Sequence, residues 1–155
     1  MPRKLSRRQL LKAGAGASAV TLGLAPGAPV LALAQAPSVP KIPGVDMSHE
    51  CTVADPEHYK LEFENEYVRI IRCKIPPHDQ VKLHNHPLGS VTVLLTDHHL
   101  HQTLEHGTKQ EANNKAGRAT WGNGTQRRHM GLNYTDQPYE YVRVDIKSAV
   151  PKNPA

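Results

Sequence analysis

From residue 58 onward the chain is written in short extended elements. Tyr59-Lys60-Leu61-Glu62-Phe63-Glu64 alternates strictly between apolar and polar side chains. Successive side chains of an extended segment point to opposite faces, so this pattern predicts a β-strand with one apolar face. Asn65-Glu66 turns the chain into a longer strand over 67–75, stopped by Pro76-Pro77 because proline cannot donate to a ladder. Further strands are predicted over 81–86, 90–96, 99–104, 109–112, 118–121, 127–134 and 139–147, separated by turn signals such as Pro87-Leu88-Gly89, Glu105-His106-Gly107 and Gly122-Asn123-Gly124. No stretch carries a sustained helical period with caps. Short strands recurring about every 8–12 residues predict an all-β sandwich or small closed barrel, and closure removes edge strands while leaving one interior. On that pattern Cys73 shares a face with Ile71 and Ile75. Leu100 and Leu104 face the core, with His99 and His101 toward solvent. Tyr139 and Tyr141 share a face with Arg143, Asp145 and Lys147, opposite Val142, Val144 and Ile146, and read as an exterior aromatic pair that a homodimer contact would use. His58, His98 and His106 sit at turns and read as surface, whereas Trp121 reads as core or pocket lining.

Upstream of the strands the character changes. Residues 35–45 hold three prolines and a glycine and read as an extended tether, which we take to run through residue 56. Residues 1–34 pair a cationic start with an apolar run, Ala13 to Ala34, as a targeting segment does. The run is rich in Gly and Ala and broken by Pro26 and Pro29, which makes a poor permanent membrane helix. An uncleaved anchor is therefore the weaker alternative to cleavage after Ala34. The expected organisation is a signal segment (1–34), a tether (35–56), a barrel (57–147) and a tail (148–155).

Charge follows the same division. The formal net charge of +5 suggests an anionic partner until its location is considered. Arg3, Lys4, Arg7, Arg8 and Lys12 lie in the first 34 residues, which contain no acid. Removing these five from 19 Lys and Arg leaves 14 against 14 Asp and Glu. The remainder is formally neutral, which argues against a nucleic-acid groove. All ten histidines lie beyond residue 48, an enrichment that raises the prospect of a metal site.

His84 and His86, in Leu83-His84-Asn85-His86-Pro87, are two residues apart on a predicted strand, so both imidazoles point the same way and form half of a metal site. With the strands laid out, residues 57–147 resemble a small single-domain cupin. The first motif of that superfamily has a glycine, five residues, HxH, three or four residues and a glutamate. The second ends in a histidine, three residues and an asparagine. His84-Asn85-His86 matches the first, and His129-Met130-Gly131-Leu132-Asn133 matches the end of the second. The departures are specific. His78 stands at the glycine position, Ser90 and Val91 stand where the glutamate belongs, and Gly124 and Gln126 stand where the second motif has proline and glycine. The resemblance implies an antiparallel jelly-roll barrel with His84, His86 and His129 as metal ligands and Asn133 as a structural residue. Asp79, Gln80 and Asp97 are the nearby-loop candidates for the missing anionic ligand. Three imidazoles with open positions suit divalent Fe, Zn, Mn, Ni or Cu. Residues Ser6-Arg7-Arg8-Gln9-Leu10-Leu11-Lys12 resemble a bacterial twin-arginine signal. That resemblance implies a passing partnership with the twin-arginine machinery and a mature protein in the periplasm or outside the cell. In that compartment Cys51 and Cys73 are either a bridge or two separate buried thiols.

Three functions fit these readings. One is a metal-dependent dioxygenase, lyase or isomerase acting on a small molecule. Another is a non-catalytic module holding a metal or small ligand, and the third is a barrel that has lost its metal. The export reading predicts that Arg7→Lys with Arg8→Lys leaves unprocessed precursor in the cytoplasm, read as the larger species on a fractionation blot. Processing that proceeds normally in the double variant rejects it.

Overall fold

The computed structural model describes residues 39–151. The expected signal segment, with its arginine pair and Ala34, lies outside the described residues. The architecture is an antiparallel jelly roll of nine strands among the described residues, in two facing sheets. In chain order the strands are β1 (Tyr59–Glu64), β2 (Val68–Ile75), β3 (His84–His86), β4 (Ser90–Leu94), β5 (His98–Leu104), β6 (Lys109–Asn114), β7 (Ala119–Gly122), β8 (Thr125–Asn133) and β9 (Tyr139–Ile146). One sheet runs β1-β2-β9-β4-β7 and the other β3-β8-β5-β6. The alternation in the sequence is realised most fully in β2, where Arg69, Ile71, Cys73 and Ile75 are buried and Lys74 is exposed. The core also takes in Cys51, Tyr59, Val81, Leu94, Tyr139 and Tyr141, with Leu100 packed against it.

Strand β9 faces opposite to expectation. Tyr139, Tyr141, Arg143 and Asp145 are buried, and Val142, Val144 and Ile146 form the outer face. Two faces of β9 offer apolar surface, and alternation alone does not say which one turns inward. Register decides it. Val142 and Val144 stand opposite Arg72 and Ile70 on one neighbour and Val93 and Val91 on the other, a mostly β-branched ladder on the outer surface of the sheet. The interior is left to polar aromatics and a buried ion pair. The expected exterior tyrosine pair is thus part of the cavity wall. Trp121 departs the other way: it is exposed on β7, and its indole N–H donates to Asn123.

Residues 42–56 fold onto the barrel. Ile42 and Met47 pack on Leu88, Asn85 donates its backbone N–H to the His49 carbonyl at 2.8 Å, and a single helical turn, Cys51–Ala54, follows. Glu50 caps that turn and is fully buried, where it meets Arg69 at 3.3 Å. Cys51 and Cys73 are separate buried thiols.

Two departures from the motifs, His78 at the expected glycine and Gly124 at the expected proline, fall at left-handed backbone positions. His78, at the expected glycine, takes a left-handed φ of 58°, which a residue other than glycine reaches at some cost. Gly124 has φ 77°, and a Cβ there would lie 2.6 Å from the Leu88 carbonyl carbon, so no side chain fits. Asn133 is the structural residue expected of it. Its amide nitrogen donates to the carbonyls of Ile75, Pro76 and Gln137, and its oxygen accepts from Thr135. Asn133→Ala leaves several of these groups buried without partners, at roughly 1–3 kcal/mol each. The variant should lose about 3 kcal/mol in urea unfolding while keeping whatever metal the wild type holds. Loss of metal with unchanged stability would make Asn133 a ligand instead.

Candidate metal centre

The site is built by one strand pairing. His84 of β3 stands directly opposite His129 of β8, and His86 follows on the same face of β3. The ladder slips between His84 and His86, so that His86 pairs with Thr125. Asn85 holds the slipped stretch by donating to the Gln126 side chain at 2.9 Å. The donor nitrogens of His84, His86 and His129 all lie within 4.8 Å of one another. The rings are 4.5 Å (His84–His129), 4.8 Å (His84–His86) and 5.2 Å (His86–His129) apart between centroids.

Hydrogen bonds orient the set. The Lys82 carbonyl accepts from His84 Nδ1 at 2.6 Å, which places the ring proton there and turns the lone pair of Nε2 into the cluster. The two Nε2 atoms of His84 and His86 are 3.2 Å apart. His86 Nδ1 is buried with no partner. Either His86 donates to His84 and leaves a bare acceptor behind it, or two lone pairs face each other. A cation held by these imidazoles would resolve the second arrangement, so the donor set fits a metal. Burial keeps all three rings neutral. It lowers the pKa of His84 and takes that of His129 to about 3, and it lowers His86 well below the usual value. Arg143 pushes all three in the same direction.

The fourth ligand does not come from the places suggested by sequence. Asp79 is engaged by His58, Gln80 reaches Met130, and Asp97 binds Lys115. Ser90, at the glutamate position, is fully buried with its hydroxyl unpartnered. Tyr59 places a hydroxyl 3.0 Å from His84 Nε2. Burial lifts its pKa well above the usual value, so it stays protonated and donates. No sequence motif marks it; its only signal was its place as the first inward residue of β1. Two histidines assigned to the surface are inside. His58 is buried between Asp55 (2.9 Å) and Asp79 (3.2 Å); burial opposes its charge, but the two carboxylates outweigh that and raise its pKa. His98 lines the cavity beside the site. His101 is exposed and paired with Glu111, and His99 binds Asn113, so this second pair lies apart from the cluster, as expected.

No family model matches the sequence, and no curated protein matches it. Solved structures do match. A cupin domain from Bordetella pertussis Tohama I has a TM-score of 0.52 at 20% identity, covering 57% of this chain and 90% of that one. An RmlC-like cupin family protein with a double-stranded β-helix fold, from Methanocaldococcus jannaschii, has a TM-score of 0.46 at 17% identity, covering 57% of this chain and 77% of that one. The fold is the all-β cupin barrel.

The buried neutral imidazoles set an acid limit. An unfolded histidine titrates near 6.5, and His129 in the fold only near 3, so the unfolded chain binds the extra proton between those values. Stability of the metal-free protein is therefore fully present above about pH 6.5 and is lost as pH falls toward 3. Urea unfolding should show His129 alone contributing a loss of about 2 kcal/mol between pH 7 and pH 5. His129→Phe should reduce that pH dependence by a similar amount; an unchanged profile contradicts the buried neutral state.

Proposed function

We propose that this protein is an exported cupin that binds one divalent metal ion through His84, His86 and His129 and admits a small molecule to the barrel cavity beside it. The observation that carries the reading is the convergence of three neutral imidazoles, one fixed by the Lys82 carbonyl with its lone pair turned toward the others. An all-nitrogen set suits Zn, Cu, Fe or Ni better than Mn, which favours oxygen ligands. A bound metal with open positions supplies Lewis acidity or, for Fe or Cu, access to O₂ chemistry. The chain's own residues do the rest. Tyr59 and Tyr141 place protonated phenols along the cavity, and the Tyr59 hydroxyl, which donates to His84 Nε2 in the metal-free chain, would be released toward a ligand once a metal takes that lone pair. Leu94 and Leu100 give it apolar wall.

A binding-only role is supported by the same lining. It contains no carboxylate or cation, and its phenols have pKa values raised far from neutrality, which leaves few groups to move a proton. The twin-arginine resemblance supports export of the folded chain, with metal acquired in the cytoplasm and a mature protein in the periplasm or beyond.

Untagged protein purified from the periplasm should carry close to one metal per chain by elemental analysis. His84→Ala and His129→Ala should each lose it, and His99→Ala and His101→Ala should keep it. Metal that survives the first pair and disappears with the second moves the centre to the surface. Metal-free wild type in every preparation leaves a barrel without a metal. Oxygen uptake with a panel of thiols and enols then separates an oxygenase from a binder.

A further inference from the structure

The cavity beside the histidines has a volume of about 230 Å³ and runs between the two sheets. None of its lining residues is Asp, Glu, Lys or Arg. An ion of either sign placed in the metal-free cavity would lose its hydration without gaining a counter-charge from the wall. The nearest buried cation, Arg143, is already spent on Asp145 at 2.5 Å and on the Leu88 carbonyl. The polar groups that remain are neutral, and one of them is incomplete.

That group is His98. It enters from β5 on the inward face with Leu100 and Gln102, and its ring stacks on Tyr139 with centroids 4.3 Å apart and planes 13° from parallel. Ring contacts continue from Tyr139 through Tyr141 and Tyr59 to His84, so His98 and the metal centre border one aromatic wall. The protonation of His98 follows from its neighbours. Arg118 donates to Asn114 Oδ1, which turns the amide nitrogen of Asn114 toward His98 Nδ1, 3.5 Å away. Nδ1 is thereby the acceptor, and the ring proton of neutral His98 sits on Nε2. Burial drives the pKa of this imidazole down to about 4, so the neutral form prevails at physiological pH. Nε2 is enclosed and has no hydrogen-bond partner. A buried donor without an acceptor is costly, and such groups mark the place of a missing partner.

We propose that His98 orients the ligand, and that the cavity takes a small uncharged organic molecule whose oxygen accepts a hydrogen bond from His98 Nε2–H. The proposal rests on this cavity being the protein's functional pocket. It does not depend on which metal the three histidines hold. Uncharged amides, ketones and phenols satisfy it; carboxylates and amines that enter the metal-free cavity as ions do not. The stacked Tyr139 holds the imidazole plane, so the donor direction is set before the ligand arrives.

The test uses the full mature chain in both metal-free and zinc-loaded forms. The probes are benzamide, cyclohexanone and benzoate, titrated by ligand-observed NMR. In the metal-free protein, where no cation can recruit a carboxylate, benzamide or cyclohexanone should bind saturably and benzoate at least roughly tenfold more weakly. His98→Phe keeps a ring against Tyr139 and removes the donor. It should weaken binding of the uncharged probe by roughly tenfold, the scale of one lost hydrogen bond, while zinc stoichiometry and melting temperature stay near wild type. Equal binding of benzoate and benzamide, no saturable binding of either uncharged probe, or unchanged affinity in His98→Phe would each overturn the proposal. Failure of the metal reading shows separately, as wild type that takes up no zinc.

Discussion

The pairing of His84 with His129 across β3 and β8 is the constraint on which the rest of the structure turns. Side chains in a ladder change face with every residue, so a one-residue slip in this pair would remove a histidine from the cluster. Several unrelated features hold that register. Asn85 ties the slipped part of the ladder to Gln126. Gly124 lies against the Pro87-Leu88-Gly89 backbone too closely for any side chain. Asn133 ends β8 by gathering three carbonyls from two separate turns. Each acts on the backbone, and together they fix where three imidazoles meet.

The electrostatics of the interior follow from the same arrangement. Beneath the histidines lie Arg69 and Arg143, opposed by Glu50 and Asp145, all buried. Asp55 and His58 add a further couple nearby. These groups largely neutralise one another. A divalent ion at the histidines would therefore meet little spare negative charge, and the serine at the usual glutamate position adds none. Holding such an ion falls on imidazole basicity, which the Lys82 carbonyl strengthens at His84.

Much of this was legible in the sequence. Strand periodicity delivered the all-β class, and the resemblance of two short motifs brought together three histidines that are 45 residues apart at their extremes. The inward turn of Leu100, with His99 and His101 on the other face, followed from alternation alone. Strand β9 was misread because period-two patterning distinguishes two faces without naming the inner one, and an interior made of Tyr139, Tyr141, Arg143 and Asp145 looks like an exterior by hydropathy. His58 and His98 were misread because position at a turn says nothing of what folds over it. Glu50, in a segment read as an extended tether, proved to be a counter-charge of an arginine 19 residues away in sequence. Long-range charge pairing of this kind leaves no local period to detect.

The burial of Glu50 also bears on where the cooperative unit begins. Arg69 lies at the heart of β2, yet its close carboxylate comes from a segment that precedes the first barrel strand. A chain started at Tyr59 would keep every strand and leave Arg69 with only the more distant carboxylates of Glu64 and Asp145, each 3.7 Å away. The barrel strands thus do not complete their own interior. The segment from Ile42 through Asp55 supplies a buried carboxylate and an apolar cover that the sheets lack without it.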